Sequence, residues 1–108
     1  MVYKLSILNK KLLNKIVQIL EDNKILDIVT INLKDKSSIA DFMIVASGTS
    51  SKHIQSVSEI LIQSLKNSGY DKCKIEGYES EDWKLIDAID VIVHLFHPDK
   101  RYIYNLEK

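Results

Sequence analysis

From Asn9 to Leu20, apolar residues recur at Leu12, Leu13, Ile16, Val17, Ile19 and Leu20, with Lys10, Lys11, Asn14, Lys15 and Gln18 between them. That spacing predicts an amphipathic helix, ended by Glu21-Asp22-Asn23-Lys24. The pattern then changes to alternation. Ile25, Asp27, Val29, Ile31 and Leu33 fall on one face, and Leu26, Ile28, Thr30 and Asn32 on the other. Rich in β-branched residues, this segment reads as a strand. Lys34 to Ser38 is a polar turn, and Asp41 to Ser47 a second, mostly apolar strand close enough to pair antiparallel with the first. Gly48-Thr49-Ser50-Ser51 breaks it. Thr49 or Ser50 is placed to cap a helix running to about Ser68, with Ile54, Val57, Leu61 and Leu65 as its buried stripe and Gly69 at its C-terminal cap.

The stretch from Glu76 to Phe96 is the most informative. Lys74 to Glu76 predicts a short edge strand, and two longer strands follow, Trp83 to Asp87 and Ile89 to Leu95. Period two puts Trp83, Leu85 and Asp87 on one face of the first. In the second, Ile89, Val91, Val93 and Leu95 share a face, and Asp90, Ile92, His94 and Phe96 share the other. A strand apolar on both faces belongs in the middle of a sheet. Pro98 stops it, and Asp99 to Glu107 predicts a short helix with Tyr102, Ile103 and Leu106 turned inward. The order α-β-β-α-β-β-β-α predicts an α+β domain, a mixed β-sheet with helices mainly on one face.

With 108 residues, 45% of them hydrophobic, the chain has room for one domain around one core, residues 1–108. Lys plus Arg number 15 and Asp plus Glu number 15, a formal net charge of zero. Unspecific binding to nucleic acid needs an excess of basic side chains, so this balance argues against it. It leaves room for a ribonucleoprotein met through a protein surface. Cys73 is the only cysteine, which excludes an internal disulfide and a cysteine-rich zinc site and suits a reducing cytoplasm. No apolar run is long enough to span a membrane, and the first residues lack the apolar core of a signal peptide.

Few residues suggest catalysis. Gly48-Thr49-Ser50-Ser51 sits where free helix amides attract phosphate, but no Gly-Lys-Ser/Thr follows as a P-loop requires. Nucleotidyltransferases also use a Gly-Ser turn before a helix, together with paired carboxylates for Mg²⁺. Here the helix offers only Glu59, and capping is the simpler role. Asp87, Asp90, His94 and His97 resemble metal ligands in type. Asp90 and His94, four residues apart on a strand, are separated by roughly 13 Å, which suits a turn Asp and a hydrogen-bonded His better than one ion. Cys73 has no visible base or oxyanion site. Trp83 is different. It follows the acidic loop Glu79-Ser80-Glu81-Asp82 near a sheet edge, and Trp is the residue that most often dominates protein interfaces. Acids around it would select a basic partner surface.

Taken together, Asp35-Lys36-Ser37-Ser38-Ile39-Ala40-Asp41, Gly48-Thr49-Ser50-Ser51-Lys52-His53, Glu76-Gly77, Trp83, Asp87, Asp90-Val91-Ile92-Val93-His94 and Tyr104-Asn105-Leu106-Glu107 resemble the ribosomal silencing factor family, also called Iojap-like proteins. Order and spacing agree across nearly the whole chain. The resemblance implies a nucleotidyltransferase-like topology without the catalytic acids, no enzymatic activity, no cofactor and no metal. It implies binding to the large ribosomal subunit through ribosomal protein uL-fourteen, so that the small subunit cannot join and translation falls under nutrient limitation. It also implies a cytoplasmic protein, often a homodimer, with no membrane partner and no sequence-specific nucleic-acid contact. Trp83 would be the apolar anchor, widened by Leu85 and Ile86, with Tyr78 packed at its side and Asp82 and Asp87 pairing with basic side chains. The alternative is a small nucleotide-binding enzyme built on Gly48-Thr49-Ser50 with Asp87 and Asp90. Family members often carry Gly just before the acid matched by Asp90. Ile89 in that place predicts a different turn geometry, because positive φ is easy only for Gly.

Overall fold

The computed structural model describes residues 2–33, 40–77, 80 and 82–97, with side chains from residue 10 onward. Helix α1 spans Val2–Asp22 and strand β1 Leu26–Asn32. Strand β2 spans Phe42–Ser47 and helix α2 Ser51–Asn67. Strands β3, β4 and β5 span Lys74–Glu76, Trp83–Asp87 and Val91–Phe96. The polar turn at 34–38 and the helix expected at 99–107 lie outside the described residues.

The strands form one sheet in the order β1-β2-β5-β4-β3. β1 pairs antiparallel with β2, β2 parallel with β5, and β4 antiparallel with both β5 and β3. The sheet is therefore mixed and β5 is its central strand, as its apolar character on both faces requires. Phe42, Ile44 and Ala46 of β2, Val91, Val93 and Leu95 of β5, and Ile86 of β4 all point to one side. Both helices pack there. Leu12, Ile16 and Leu20 of α1 and Ile54, Val57, Leu61 and Leu65 of α2 are buried against them. These are the positions that the helical spacing selects, and full burial of each Leu or Ile is worth about 1.5–3 kcal/mol.

Local chemistry sets the ends of α2. Ser50 is its N-cap, and its hydroxyl accepts from the His53 amide at 3.1 Å. At the other end Gly69 takes φ 97, the Gly69 amide donates to the Lys66 carbonyl at 3.0 Å, and the Tyr70 amide donates to the Leu65 carbonyl at 2.9 Å. This pair of bonds closes the helix in the Schellman manner and turns Tyr70 back onto the core.

Two expectations fail, both through backbone that breaks period two. β1 does not alternate along its whole length. Its register with β2 shifts between Leu26 and Val29, and Asp27 takes φ 51. The irregularity puts Ile25 and Ile28 on the core side and leaves Leu26 47% exposed, while Val29 and Ile31 keep their places opposite Val45 and Met43. The β4–β5 turn also differs from expectation. Ile89 avoids no positive φ; it adopts φ 69. The Asp90 amide donates to the Ala88 carbonyl across it at 2.9 Å, and the Asp87 carboxylate accepts from the Ile89 amide at 2.9 Å. These bonds hold a β-branched residue in the left-handed region, in a three-residue turn of the rarer, strained hand.

Ile89 is 49% exposed, so little packing offsets that strain. Left-handed backbone disfavours an L-residue by about 1–2 kcal/mol, and the extra freedom of Gly in the unfolded chain returns about 0.5–1 kcal/mol. Ile89→Gly is therefore expected to stabilise the fold by about 0.5–1 kcal/mol, which for a chain of this size raises Tm by roughly 2–8 °C. Thermal melts followed by far-UV circular dichroism check this; an unchanged or lower Tm contradicts it.

Candidate functional site

On the sheet face opposite the helices, β4 presents Trp83, Leu85 and Asp87, and β5 presents Ile92, His94 and Phe96. Trp83 stands opposite Phe96, Leu85 opposite His94 and Asp87 opposite Ile92. β2 adds Met43 and Val45 beside Ile92 and His94. The ring of Trp83 stacks on His94 (centroids 6.0 Å, interplanar 17°) and on Phe96 (6.3 Å, 20°), and His94 stacks on Phe96 at 6.0 Å. Offset stacking at such separations contributes beyond the buried area alone. The indole Nε1–H donates to His94 Nδ1 at 3.1 Å. That bond requires Nδ1 to be unprotonated, so the ring proton of neutral His94 lies on Nε2. Burial pushes the His94 pKa down, which favours that neutral state.

Trp83 is held from its other side by Gly77. Gly77 takes φ 72, and a Cβ placed there would lie 3.1 Å from Trp83 Cε3 and 3.2 Å from Cζ3. Only a glycine lets the chain leave β3 in this conformation this close to the indole. Trp83 is thus half-buried and fixed, and it lies outside the core between sheet and helices. Leu85 and Asp87 are also half-buried. Asp82 sits at the mouth of the preceding loop, where its amide donates to the Ser80 hydroxyl and its carbonyl accepts from the His97 amide. Tyr78, with Glu79 and Glu81, lies outside the described residues. Ile86 does not belong to the patch. Neighbouring residues of a strand point to opposite faces, so with Leu85 on the side away from α1 and α2, Ile86 enters the core, where it is 0% exposed.

The Gly48 turn is a structural lock. His53 Nδ1 accepts from the Thr49 amide at 2.9 Å, with the Thr49 hydroxyl at 3.1 Å. The same ring then donates from Nε2 to the Asn23 carbonyl at 2.8 Å, tying the start of α2 to the end of α1. A Cβ on Gly48 would lie 2.5 Å from Ile54 Cγ1, so the turn is packed onto the buried stripe of α2. The amides of Thr49 and His53 are already engaged within the chain. Asp87 and Asp90 lie at the far end of the sheet, where the Asp90 carbonyl accepts from the Asp41 and Phe42 amides at the start of β2. The length of β2, roughly 20 Å at about 3.3 Å per residue, separates these acids from Gly48. The enzyme alternative needs them in one site, and the fold keeps them apart.

Two further titratable groups among the described residues are shifted by their surroundings. Burial, then the nearby Asp41 charge, raises the Asp90 pKa. Burial, then Asp87, raises the pKa of the buried Cys73 thiol, which keeps it from the reactive thiolate. Among the described residues, no three His, Cys, Asp or Glu side chains converge as metal ligands would. The sequence reading did not single out His53 or Lys84. For His53 the signal was present as a ring three residues after an N-cap Ser; for Lys84 it was a charge in an apolar alternation.

The sequence profile of the family described as "Ribosomal silencing factor during starvation" matches residues 7–108. The ribosomal silencing factor of Zymomonas mobilis is 44% identical over 97 residues, covering 90% of this chain and 73% of that protein. That of Halalkalibacterium halodurans is 41% identical over 100 residues, covering 93% and 86%. The crystal structure of a Chromobacterium violaceum protein superposes with a TM-score of 0.86 at 34% identity, covering 91% of this chain and 82% of the other. The mixed sheet with its helices is shared with that structure.

Burial of His94 makes stability depend on pH. His94 titrates below its unfolded value, so the unfolded chain takes up the proton first as pH falls. Stability is fully present above the unfolded His value, about 6.5, and declines as pH drops from there toward the lower folded value. Melting curves between pH 7.5 and 5 should show Tm falling, and His94→Gln should flatten that slope. Equal slopes in both proteins would remove His94 as its source.

Proposed function

The chain belongs to the ribosomal silencing factor family, and from that premise we propose that it binds the large ribosomal subunit through ribosomal protein uL-fourteen. By covering the joining surface it keeps the small subunit away and lowers translation when nutrients are scarce. The observation that carries this reading is the anchoring of Trp83, which is held on the face opposite α1 and α2 by Gly77, His94 and Phe96. A factor that acts by occlusion needs no reactive group. It needs a surface whose anchor is already in its bound position, because ordering a large side chain on association weakens binding. Trp is the residue type that most often supplies such an anchor.

In this reading Leu85 extends the apolar contact along β4. Asp87 lies beyond Leu85 on the same face of β4, Asp82 in the loop just before Trp83, and together they select a basic partner surface. The chain works as one domain, in the cytoplasm, without catalysis or cofactor. No described helix is long and apolar enough to cross a membrane, and zero net charge opposes neither docking nor pairing of two copies.

Co-sedimentation with isolated large subunits, with and without small subunits, tests the proposal. The protein should travel with large subunits and lower the fraction of joined ribosomes. Trp83→Ala should remain folded and lose about 2–4 kcal/mol of binding, roughly a 30- to 1000-fold loss of affinity. A wild-type protein left in the supernatant at micromolar concentration, or full affinity in folded Trp83→Ala, would sink it.

A further inference from the structure

β4 carries a charge where its neighbours carry core. Lys84 lies between Trp83 and Leu85 but points to the other side of the strand, the side that Ile86 uses to enter the core, and it is 3% exposed. Its partner across the ladder is the fully buried Leu95. An apolar side chain at this position would meet no desolvation penalty, whereas burying an ammonium is expensive unless hydrogen bonds compensate. The Lys84 ammonium donates to the Gly77 carbonyl at 3.1 Å and to the Ser80 carbonyl. Those two residues also bond each other, Ser80 amide to Gly77 carbonyl, at 3.0 Å. The lysine therefore gathers both ends of a short turn between β3 and β4.

Gly77 is the link to the face opposite α1 and α2. Its carbonyl accepts from Lys84, while a Cβ placed on it would lie 3.1 Å from Cε3 of the six-membered ring of Trp83. A side chain on the core side of β4 thus fixes the loop that seats the indole on the opposite side. Resting on the reading of Trp83 as the partner anchor, we propose that Lys84 is a positioning residue. It holds the Gly77–Ser80 turn so that the indole is presented in its binding orientation, and it touches no partner itself. A buried charge retained for conformation rather than for stability is a known use of such groups.

The experiment compares wild type with Lys84→Met, and with Lys84→Val as a second apolar variant suited to a strand. Three quantities are read: Tm, the near-ultraviolet circular dichroism and fluorescence of the single Trp, and co-sedimentation with large subunits. The expected result is a Tm at or above that of wild type, a changed Trp83 spectrum, and affinity for large subunits lowered at least ten-fold. Gly77→Ala, which presses on the indole from the loop, should change the spectrum in the same way. An unchanged Trp83 spectrum in a folded Lys84 variant overturns the inference. So does wild-type affinity in a variant while Trp83→Ala has lost it, or loss of folding in both variants, which makes Lys84 a requirement of the core. If wild type itself does not bind large subunits, the functional reading fails. The Trp83 spectrum then still decides whether Lys84 sets the indole.

Discussion

The pairing of β5 with β2 on one side and β4 on the other constrains the rest of the molecule. From Phe42 opposite Val91 to Ser47 opposite Phe96, the parallel ladder runs without a break. It commits Val91, Val93 and Leu95 to the helices and Ile92, His94 and Phe96 to the far face. Because side chains alternate strictly, a slip of one residue would exchange the two sets. His94 would then face the apolar stripes of α1 and α2, and Trp83 would lose both the rings it stacks on. The buried core and the candidate binding face are set by the same register.

The two ends of this sheet have different characters. At the Gly48 end the backbone is tied down by side chains. His53 bridges the start of α2 to the end of α1, and Lys84 gathers the turn that leads into β4. At the Asp90 end the turn is strained at Ile89, and Asp90 sits near Asp41 in a setting that disfavours its charge. Trp83 stands at the tied end and Asp87 toward the strained one. An anchor that must keep one orientation is well served by the former position. Ser50, His53 and Asp87 each hold local backbone by a hydrogen bond, and the distance between the Gly48 turn and the acids follows from β2 lying between them.

Much of this was legible in the chain. The stripe Ile54, Val57, Leu61 and Leu65, the Ser50 cap, the Gly69 stop and the central place of β5 follow from spacing and residue type. The face shared by Trp83, Leu85 and Asp87 was legible too, and the same alternation excludes Ile86 from it. The expectation that Ile86 widens the patch failed against that alternation, and the other failures came where a residue took backbone unusual for its type. Asp27 at φ 51 breaks the alternation of β1, and Ile89 at φ 69 does what glycine does without strain. Neither is announced by side-chain pattern, because the bonds that enforce such backbone come from the surrounding turn and the paired strand.

The sequence by itself determined the elements, their inward faces and the residues rich in contact potential. Those properties depend on neighbours within a turn of helix or two residues of strand, and that information is local. Tertiary structure alone decided that β2 and β5 run parallel, that Gly77 lies against the ring of Trp83, that His94 accepts the indole proton, and that Lys84 reaches the Gly77 carbonyl from the core side. Each of these joins atoms whose distance is set by how the strands are ordered in the sheet or how the loops close. Many local patterns are compatible with more than one such order, and only the packed whole selects among them.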